Sequence, residues 1–285
     1  MKYPETFPGK DLGVADFVVT DRMLKDYFEG LEVDASWFRD GSPYRRPLAP
    51  SLMAPDDELF FANGAYFKNS FGTLWMRQKW TFHQPLFPSE PYRAAAKIAD
   101  IYQHRHRTIV IVEIELRTPQ GALVAQGHHH QSFVLTQSTG TVRLRDPHAK
   151  EAQPRFEPPS GEHLESFSRL ITLEMCGTFF HGDRNFHTDR ASAERLGFQH
   201  IVVGGRMTLG MLGIVLDKHF GRSWYEGGRL EVKFTNVVVP GDRVSANAVI
   251  TGQIEDGGKR RFQVTLWVEK ADGTVAVVGT ASVPA

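Results

Sequence analysis

Hydrophobic and polar residues alternate along much of the chain, which predicts a protein built mainly from strands. From Trp75 to Phe82, successive side chains fall on two opposite phases, as expected for a strand with two different faces. Short turns rich in Pro, Gly or charge separate this run from its neighbours, which favours an antiparallel meander. The predicted strands are 75–82, 93–102, 108–117 and 123–135, followed in the second half by 229–238, 243–254, 260–270 and 275–282.

Helices are predicted at three places. Thr20 and Asp21 form an N-cap signal for a helix that ends near Glu29, because a Thr side chain can accept a bond from a free N–H of the first turn. A second helix is predicted near 56–72. The apolar run at 207–216 predicts the principal helix of the second half.

The two halves of the sequence repeat one pattern at a gapless shift of 152 residues. Phe82 then aligns with Phe234, and the turns FPSE and TPQG align with VPGD and KADG. A repeat of this length indicates two copies of one domain rather than a solenoid. Between the copies the chain is rich in Gly, Pro, Ser and charge, which is typical of a linker. The predicted divisions are a domain at 1–140, a linker at 141–163 and a second domain at 164–285.

Each copy reads as a short strand, a helical region and about four antiparallel strands. A long apolar helix covered by such a sheet buries the apolar faces of both in one core. The sequence therefore predicts an α+β protein of two tandem units, each with a long helix wrapped by an antiparallel sheet.

Composition narrows the function classes. The chain is 41% hydrophobic and 23% charged, and its 33 basic residues balance 33 acidic residues, so no global field attracts nucleic acid or an acidic membrane. Its single cysteine, Cys176, lies in an apolar run and is interpreted as a buried structural thiol in a reducing compartment. The N-terminus has no apolar signal region, and no run approaches the length of a membrane span. A soluble, cytoplasmic protein is expected.

Candidate chemistry concentrates in the stretch from residue 179 to 205. Asp183, Asn185 and His187 lie within five residues, and the pair Gly204 and Gly205 precedes the principal predicted helix. An acid and an imidazole beside a glycine-rich turn suit water activation next to a polarised carbonyl. If this segment is helical, the spacing of four places both side chains on one face; in a loop their geometry is open. The structural alternative is that Asp183 or Asp189 caps a helix and that Gly204 and Gly205 form a simple tight turn.

This stretch resembles the MaoC-like dehydratases, the family of the R-specific enoyl-CoA hydratases. That family carries G-D-x-N-P, an aliphatic residue and H-x-D, followed by a small helical residue and G-F…G. The spacing from Asp to His is four here, where the family usually has five, and the proline is missing. The matching positions are Gly182, Asp183, Asn185, His187, Asp189, Ala193, Gly197, Phe198 and Gly205.

The resemblance implies a hot-dog fold, here as a double hot dog, and reversible hydration of a 2-enoyl-CoA to an (R)-3-hydroxyacyl-CoA. Asp183 and His187 would transfer the protons through one water, and Asn185 would orient that water or the aspartate. Backbone N–H groups at Gly205, with Gly204 beside it, would hold the thioester oxygen, because helix N-termini carry free N–H groups. No metal and no cofactor is expected.

The first copy lacks this chemistry. At the shift of 152, the three polar side chains fall on Leu31, Val33 and Ala35, so one active site per chain is expected. His128, His129 and His130 lie in a predicted strand, where neighbours point to opposite faces, so a metal site there is disfavoured. The basic hairpin tips at 104–107 and 259–261 are either solvated turns or contacts to the phosphates of coenzyme A.

Two other functions remain open from the sequence alone. A hot-dog protein can hydrolyse an acyl-CoA thioester instead, and the shortened spacing between Asp183 and His187 leaves room for a non-catalytic subunit that binds acyl thioesters. The predicted partner is an acyl-CoA, with no nucleic acid and no membrane, and the sequence leaves open whether the thiol is coenzyme A or acyl carrier protein. Because two hot dogs in one chain already form a pseudo-dimer, both a monomer and a homodimer of chains are open.

Overall fold

The computed structural model describes residues 5–144 and 156–285, and both parts fold as strands with a few helices. None of the described helices has the length and apolar character that crossing a lipid bilayer requires. The strands are β1 (Asp11–Val18), β2 (Leu74–Phe82), β3 (Pro91–His104), β4 (Arg107–Arg117), β5 (Leu123–Phe133), β6 (Glu162–His163), β7 (Phe167–Leu170), β8 (Arg229–Phe234), β9 (Arg243–Asp256), β10 (Lys259–Lys270) and β11 (Val275–Pro284). The helices are α1 (Asp21–Gly30), α2 (Ser36–Arg39), α3 (Leu173–Phe179), α4 (Arg190–Arg195), α5 (Gly205–Phe220) and α6 (Arg222–Tyr225), with 3-10 segments at Ser51–Met53 and Asp57–Asn63.

The strands form one continuous antiparallel sheet that runs through both halves of the chain. Its order is β1-β3-β4-β5-β2-β8-β11-β10-β9-β6, and β7 also pairs with β9. The halves meet where β2 pairs with β8, in a register that runs from Arg77 opposite Lys233 to Thr81 opposite Arg229. We call this pairing the seam.

The repeat seen in the sequence is present in the structure at the same offset. Pro91 begins β3 and Arg243 begins β9, and 243 − 91 = 152. Thr20 and Thr172 each cap a helix by accepting a bond from the backbone N–H three residues later. The prediction of an α+β protein with two tandem units is confirmed; we call residues 11–133 the first repeat and residues 167–284 the second repeat.

Helix α5 is the centre of the core. Residues 207–217 are all buried, and two glycines among them let other elements approach closely. A Cβ at Gly210 would lie 2.9 Å from the hydroxyl of Tyr27, and a Cβ at Gly213 would lie 2.9 Å from a methyl group of Leu52. The partners of both glycines belong to the first repeat, in α1 and in the 3-10 segment Ser51–Met53.

The predicted long helix of the first repeat is wrong. The residues that correspond to α5, 53–68, form only the 3-10 segment Asp57–Asn63. Pro55 precedes that segment, and Gly64 ends it with a φ of 86°, a left-handed conformation that stops a helix. The helix predicted near 56–72 is therefore limited to this short segment, and α5 is the long helix of the described residues.

The division into domains at 1–140 and 164–285, joined by a linker at 141–163, stays a proposal. Both ends of the linker pack on the folded parts: Val142 is buried and donates its N–H to the carbonyl of Gly197, and Glu162–His163 forms β6. Residues 145–155 lie outside the described residues.

Candidate active site

A cavity of about 1540 Å³ opens between the repeats at the N-terminus of α5. The second repeat contributes the loop after α3 and the first residues of α5, and the first repeat contributes β2, β5 and the 3-10 segment Asp57–Asn63. Asp183, Asn185, His187, Gly204 and Gly205 all line this cavity, so every site residue expected from the sequence faces one space.

The loop that carries the predicted acid and imidazole is not helical. Helix α3 ends at Phe179, and His181 and Gly182 then turn the chain with φ values of 62° and 72°. The hydroxyl of Thr188 donates to the carbonyl of Asp183 at 2.6 Å, which closes the next turn. The four-residue spacing from Asp183 to His187 therefore reflects this turn and not a shared helix face.

His187 is held in one orientation by its neighbours. Its Nδ1 lies 2.7 Å from the carbonyl oxygen of Val202, so Nδ1 carries the proton and donates. The ring lies between Phe180, with centroids 4.7 Å apart, and Phe186, at 3.8 Å. Burial lowers the pKa of His187 to about 4, and the bond to Val202 opposes this shift only in part. At neutral pH the imidazole is neutral, and Nε2 carries a lone pair that can accept a proton.

Asp183 and Asn185 differ in what holds them. Asp183 is exposed at the cavity, and its carboxylate has no hydrogen bond or ion pair within the described residues. Asn185 accepts the backbone N–H of His187 at 2.8 Å and donates to the carbonyl of Asp183 at 3.3 Å. Its side chain therefore braces the loop that carries the other two residues. Asp189 caps α4 by accepting from Ser192, as the structural alternative allowed for this aspartate.

Gly204 and Gly205 allow two aromatic rings to approach the start of α5. A Cβ at Gly204 would lie 2.1 Å from the ring of Phe180, and a Cβ at Gly205 would lie 2.6 Å from the ring of Trp75. Gly204 is the N-cap with a φ of −61°, so its need for glycine comes from space and not from a left-handed backbone. The first N–H groups of α5 have no partners inside the helix, which suits the binding of a developing negative charge.

A second group of polar side chains lines the cavity from the first repeat, and the sequence reasoning did not find it. Asp57 and His129 are buried, and Nε2 of His129 lies 3.3 Å from a carboxylate oxygen of Asp57. Arg206, directly after Gly205, reaches the neighbouring Asp56 at 2.5 Å. The sequence offered one signal, because His129 lies on the inward face of a strand whose other inward residues are apolar or paired. Its contact with Asp57 could not be predicted without the fold.

Basic residues surround the cavity on one side. The tip of the β3–β4 hairpin, residues 104–107, lines the cavity together with Lys68 and Lys233. The equivalent tip of the second repeat, residues 259–261, does not line it. The two tips, which the sequence could not tell apart, therefore differ in where they lie.

The remaining candidates from the sequence are the histidines at 128–130 and the single cysteine. His129 points into the cavity wall, whereas His128 lies on the opposite face and is 3.8 Å from Glu113. Residues 5–144 and 156–285 contain no group of three or more His, Cys, Asp or Glu side chains placed to hold a metal ion. Cys176 is buried, as predicted, and this burial raises the pKa of its thiol to about 11.

Comparison with known proteins finds matches to parts of this chain. Residues 157–271 match the family model described as a MaoC like domain. A peroxisomal hydratase-dehydrogenase-epimerase of Saccharomyces cerevisiae is 33% identical over 109 residues, which are 37% of this chain and 12% of that protein. An enoyl-CoA hydratase of Mycobacterium tuberculosis is 24% identical over 204 residues, which are 70% of this chain and 66% of that protein. The matches thus span less than two thirds of either relative.

Solved structures share the fold of the whole chain. A protein described as a MaoC-like dehydratase superposes with a TM-score of 0.70 at 14% identity, covering 95% of this chain and 97% of its own. A conserved hypothetical protein of Mycobacterium tuberculosis, described as a double hotdog fold, gives a TM-score of 0.59 at 12% identity and covers 98% and 96% of the two chains. The double hot-dog fold expected from the sequence is confirmed.

Proposed function

We propose that this chain, in which residues 157–271 match the model of a MaoC like domain, adds water reversibly to a 2-enoyl-CoA to give an (R)-3-hydroxyacyl-CoA. The match to that domain and the hydratase relatives support membership of a hydratase family. The observation that carries the proposal is His187, a neutral imidazole whose Nδ1 is bonded to Val202 and which lines the same cavity as Asp183.

In the proposed reaction, Nε2 of His187 accepts a proton from a water molecule as the water oxygen attacks C3 of the substrate. The electron pair of the C2–C3 double bond shifts toward the thioester, whose oxygen gains negative charge. N–H groups at the start of α5, at Gly205, would stabilise that charge. The proton that the water gave up is then delivered to C2, relayed between His187 and the carboxylate of Asp183, so both side chains return to the protonation state in which they began. Asn185 positions both residues through its two bonds to the loop backbone.

The thiol carrier is proposed to be coenzyme A. The hairpin tip at 104–107 and the lysines Lys68 and Lys233 place positive charge along the cavity, where the phosphates of coenzyme A would lie. The tip at 259–261 lies away from the cavity and is expected to be a solvated turn.

Hydration can be separated from the alternative functions in one assay. A 2-enoyl-CoA is mixed with the protein while the absorbance of the conjugated thioester and the free thiol are followed. Loss of absorbance without free thiol is expected. Release of free thiol would identify a thioesterase, and tight binding with no change of absorbance would identify a non-catalytic binder; either result overturns the proposal.

The site is tested by three variants. Asp183→Asn and His187→Ala are expected to lower kcat by at least about 100-fold, the lower range for loss of acid–base catalysis, while the protein stays folded by circular dichroism. His200→Ala is the matched control, because His200 follows in the same segment but is exposed and does not line the cavity. Normal turnover by Asp183→Asn or His187→Ala would remove that residue from the mechanism.

A further inference from the structure

Four buried polar residues that the first repeat contributes to the cavity have no task in the proposed function. We define the first-repeat polar cluster as Asp57, Thr73, His129 and Gln131, all of which are buried and line the cavity. The MaoC-like chemistry proposed above uses only residues of the second repeat. The cluster therefore needs its own explanation.

Hydrogen bonds fix the orientation of His129. The side-chain N–H of Gln131 donates to the hydroxyl of Thr73 at 2.6 Å, which leaves the amide oxygen of Gln131 facing His129. That oxygen lies 3.1 Å from Nε2 of His129, and because it can only accept, Nε2 must carry the proton. Nδ1 of His129 is then an acceptor, and no described residue donates a hydrogen bond to it.

Asp57 presents the complementary group. Its side chain is buried, and neither carboxyl oxygen forms an aligned hydrogen bond with a described residue, although Nε2 of His129 and the hydroxyl of Tyr66 lie beside it. Burial, followed by the charge of Asp56, raises the pKa of Asp57 well above its ordinary value. Burial also lowers the pKa of His129 to about 4. Both shifts favour the uncharged forms, in which the carboxyl group carries an O–H donor and the imidazole a nitrogen acceptor.

The cluster lies next to the place where the thioester is expected. The ring of Trp75 stacks on His129 with centroids 4.6 Å apart, and the same ring lies against Gly205 at the start of α5. The ring of Trp75 therefore separates the cluster from an acyl group bound at Gly205.

We propose that the first-repeat polar cluster binds a neutral hydroxyl group on the acyl chain of the substrate. A hydroxyl donates one hydrogen bond and accepts others, so it can donate to Nδ1 of His129 and accept from Asp57. A plain alkyl chain would leave both buried groups without partners, which is unfavourable. This inference rests on the proposed acyl-CoA function, and it adds the chemical class of the acyl group.

An anionic substituent fits this position poorly. Asp56 and Glu58 flank Asp57, and Arg206 is already engaged by both, at 2.5 Å and 3.4 Å. A carboxylate on the acyl chain would meet these acidic groups, and Arg206, the cation that pairs with them, is already engaged.

The test is a binding measurement with unreactive analogues. Saturated acyl-CoAs of increasing chain length, each plain or with a hydroxyl on the terminal carbon, are titrated into the protein by calorimetry. At the chain length that reaches the cluster, the hydroxylated analogue is expected to bind about tenfold more tightly than the plain one. A ratio near one at every length, tighter binding of a terminal carboxylate, or no binding of any analogue would overturn the inference.

Variants locate the preference. His129→Phe keeps an aromatic ring against Trp75 and removes the acceptor, and Asp57→Leu removes the donor; each is expected to bring the ratio of dissociation constants to about one. Asp57→Asn keeps a neutral donor and is expected to retain most of the preference. His128→Phe is the matched control, because His128 lies one residue away on the face opposite the cavity. A preference that survives in both His129→Phe and Asp57→Leu, with folding checked by near-ultraviolet circular dichroism, would place the hydroxyl site elsewhere and refute the inference.

Hydration of a plain 2-enoyl-CoA by the wild-type protein separates the two proposals. If no hydration occurs but the binding preference and its loss in the variants are found, the proposed function fails and the inference holds. If hydration occurs and the preference is absent, the inference fails alone. If hydration of plain and hydroxylated substrates falls equally in His129→Phe, the cluster serves the reaction rather than recognition, which also refutes the inference.

Discussion

Replacing His187 by Phe is expected to change how the stability of the protein depends on pH. In the folded protein the pKa of His187 is about 4, compared with about 6.5 for an unperturbed histidine. The unfolded chain therefore binds this proton at a higher pH than the folded chain does. The stability linked to His187 is fully present above about pH 6.5 and is lost progressively as the pH falls toward 4.

The size of the effect follows from the two pKa values. At pH 5 the unfolded histidine is almost fully protonated and the folded one is largely neutral, which costs the wild-type protein about 2 kcal/mol relative to pH 8. In His187→Phe this cost disappears. The lost hydrogen bond to Val202 destabilises the variant by the same amount at both pH values, so it does not affect the difference.

Urea unfolding of both proteins at pH 5 and pH 8 measures this quantity. The loss of unfolding free energy between pH 8 and pH 5 is expected to be about 2 kcal/mol smaller in His187→Phe than in the wild type. His200→Phe is the control, because His200 is exposed, and its curve should follow the wild type. A difference below about 0.5 kcal/mol for His187→Phe would mean that the folded protein does not hold His187 as a neutral imidazole, and the argument for it as a base would fail.

Two further predictions concern positions that the structure distinguishes sharply. Gly204→Ala places a methyl group 2.1 Å from the ring of Phe180, which stacks on His187, so we expect a loss of about 1–3 kcal/mol in unfolding free energy and lower turnover. Gly177→Ala is the control, because Gly177 is a helical position with nothing within 4 Å of an added methyl group, and this variant should be neutral or slightly stabilising. Equal effects of the two substitutions in urea unfolding would contradict this reasoning. Thr20→Ala and Thr172→Ala each remove a helix cap and should each cost about 1 kcal/mol by the same measurement, and no loss in either would contradict the capping role.

The strands were predictable because the alternation of side chains along a strand is a local pattern in the sequence. Strand periodicity over 93–102 and 243–254 indicated the strands that the structure extends to Pro91–His104 and Arg243–Asp256. The repeat was predictable because side chains such as Thr20 and Thr172 do the same work in both copies. The helix assigned near 56–72 failed, since Pro55 and Gly64 outweigh the apolar content of the intervening residues.

The sequence predicted only those residues of the candidate site that belong to the second repeat. Asp183 and His187 lie close together in sequence, so a family motif could carry them, and both do line the cavity. The contribution of Asp57 and His129 depends on contacts between residues 72 positions apart, across a wall formed when β5 and the 3-10 segment meet. Neither residue has a local pattern that sets it apart, because burial of a polar side chain is a property of the folded chain.

The seam between β2 and β8 joins the two repeats by backbone pairing, as two subunits of a dimer could be joined, but here both partners belong to one polypeptide. Because the two repeats are covalently connected, they are always present in a one-to-one ratio, and diluting the protein does not lower their effective concentration for each other. It also releases them from identity: a symmetric pair must carry every substitution twice, whereas a fused pair can give proton transfer to one member and choice of acyl group to the other.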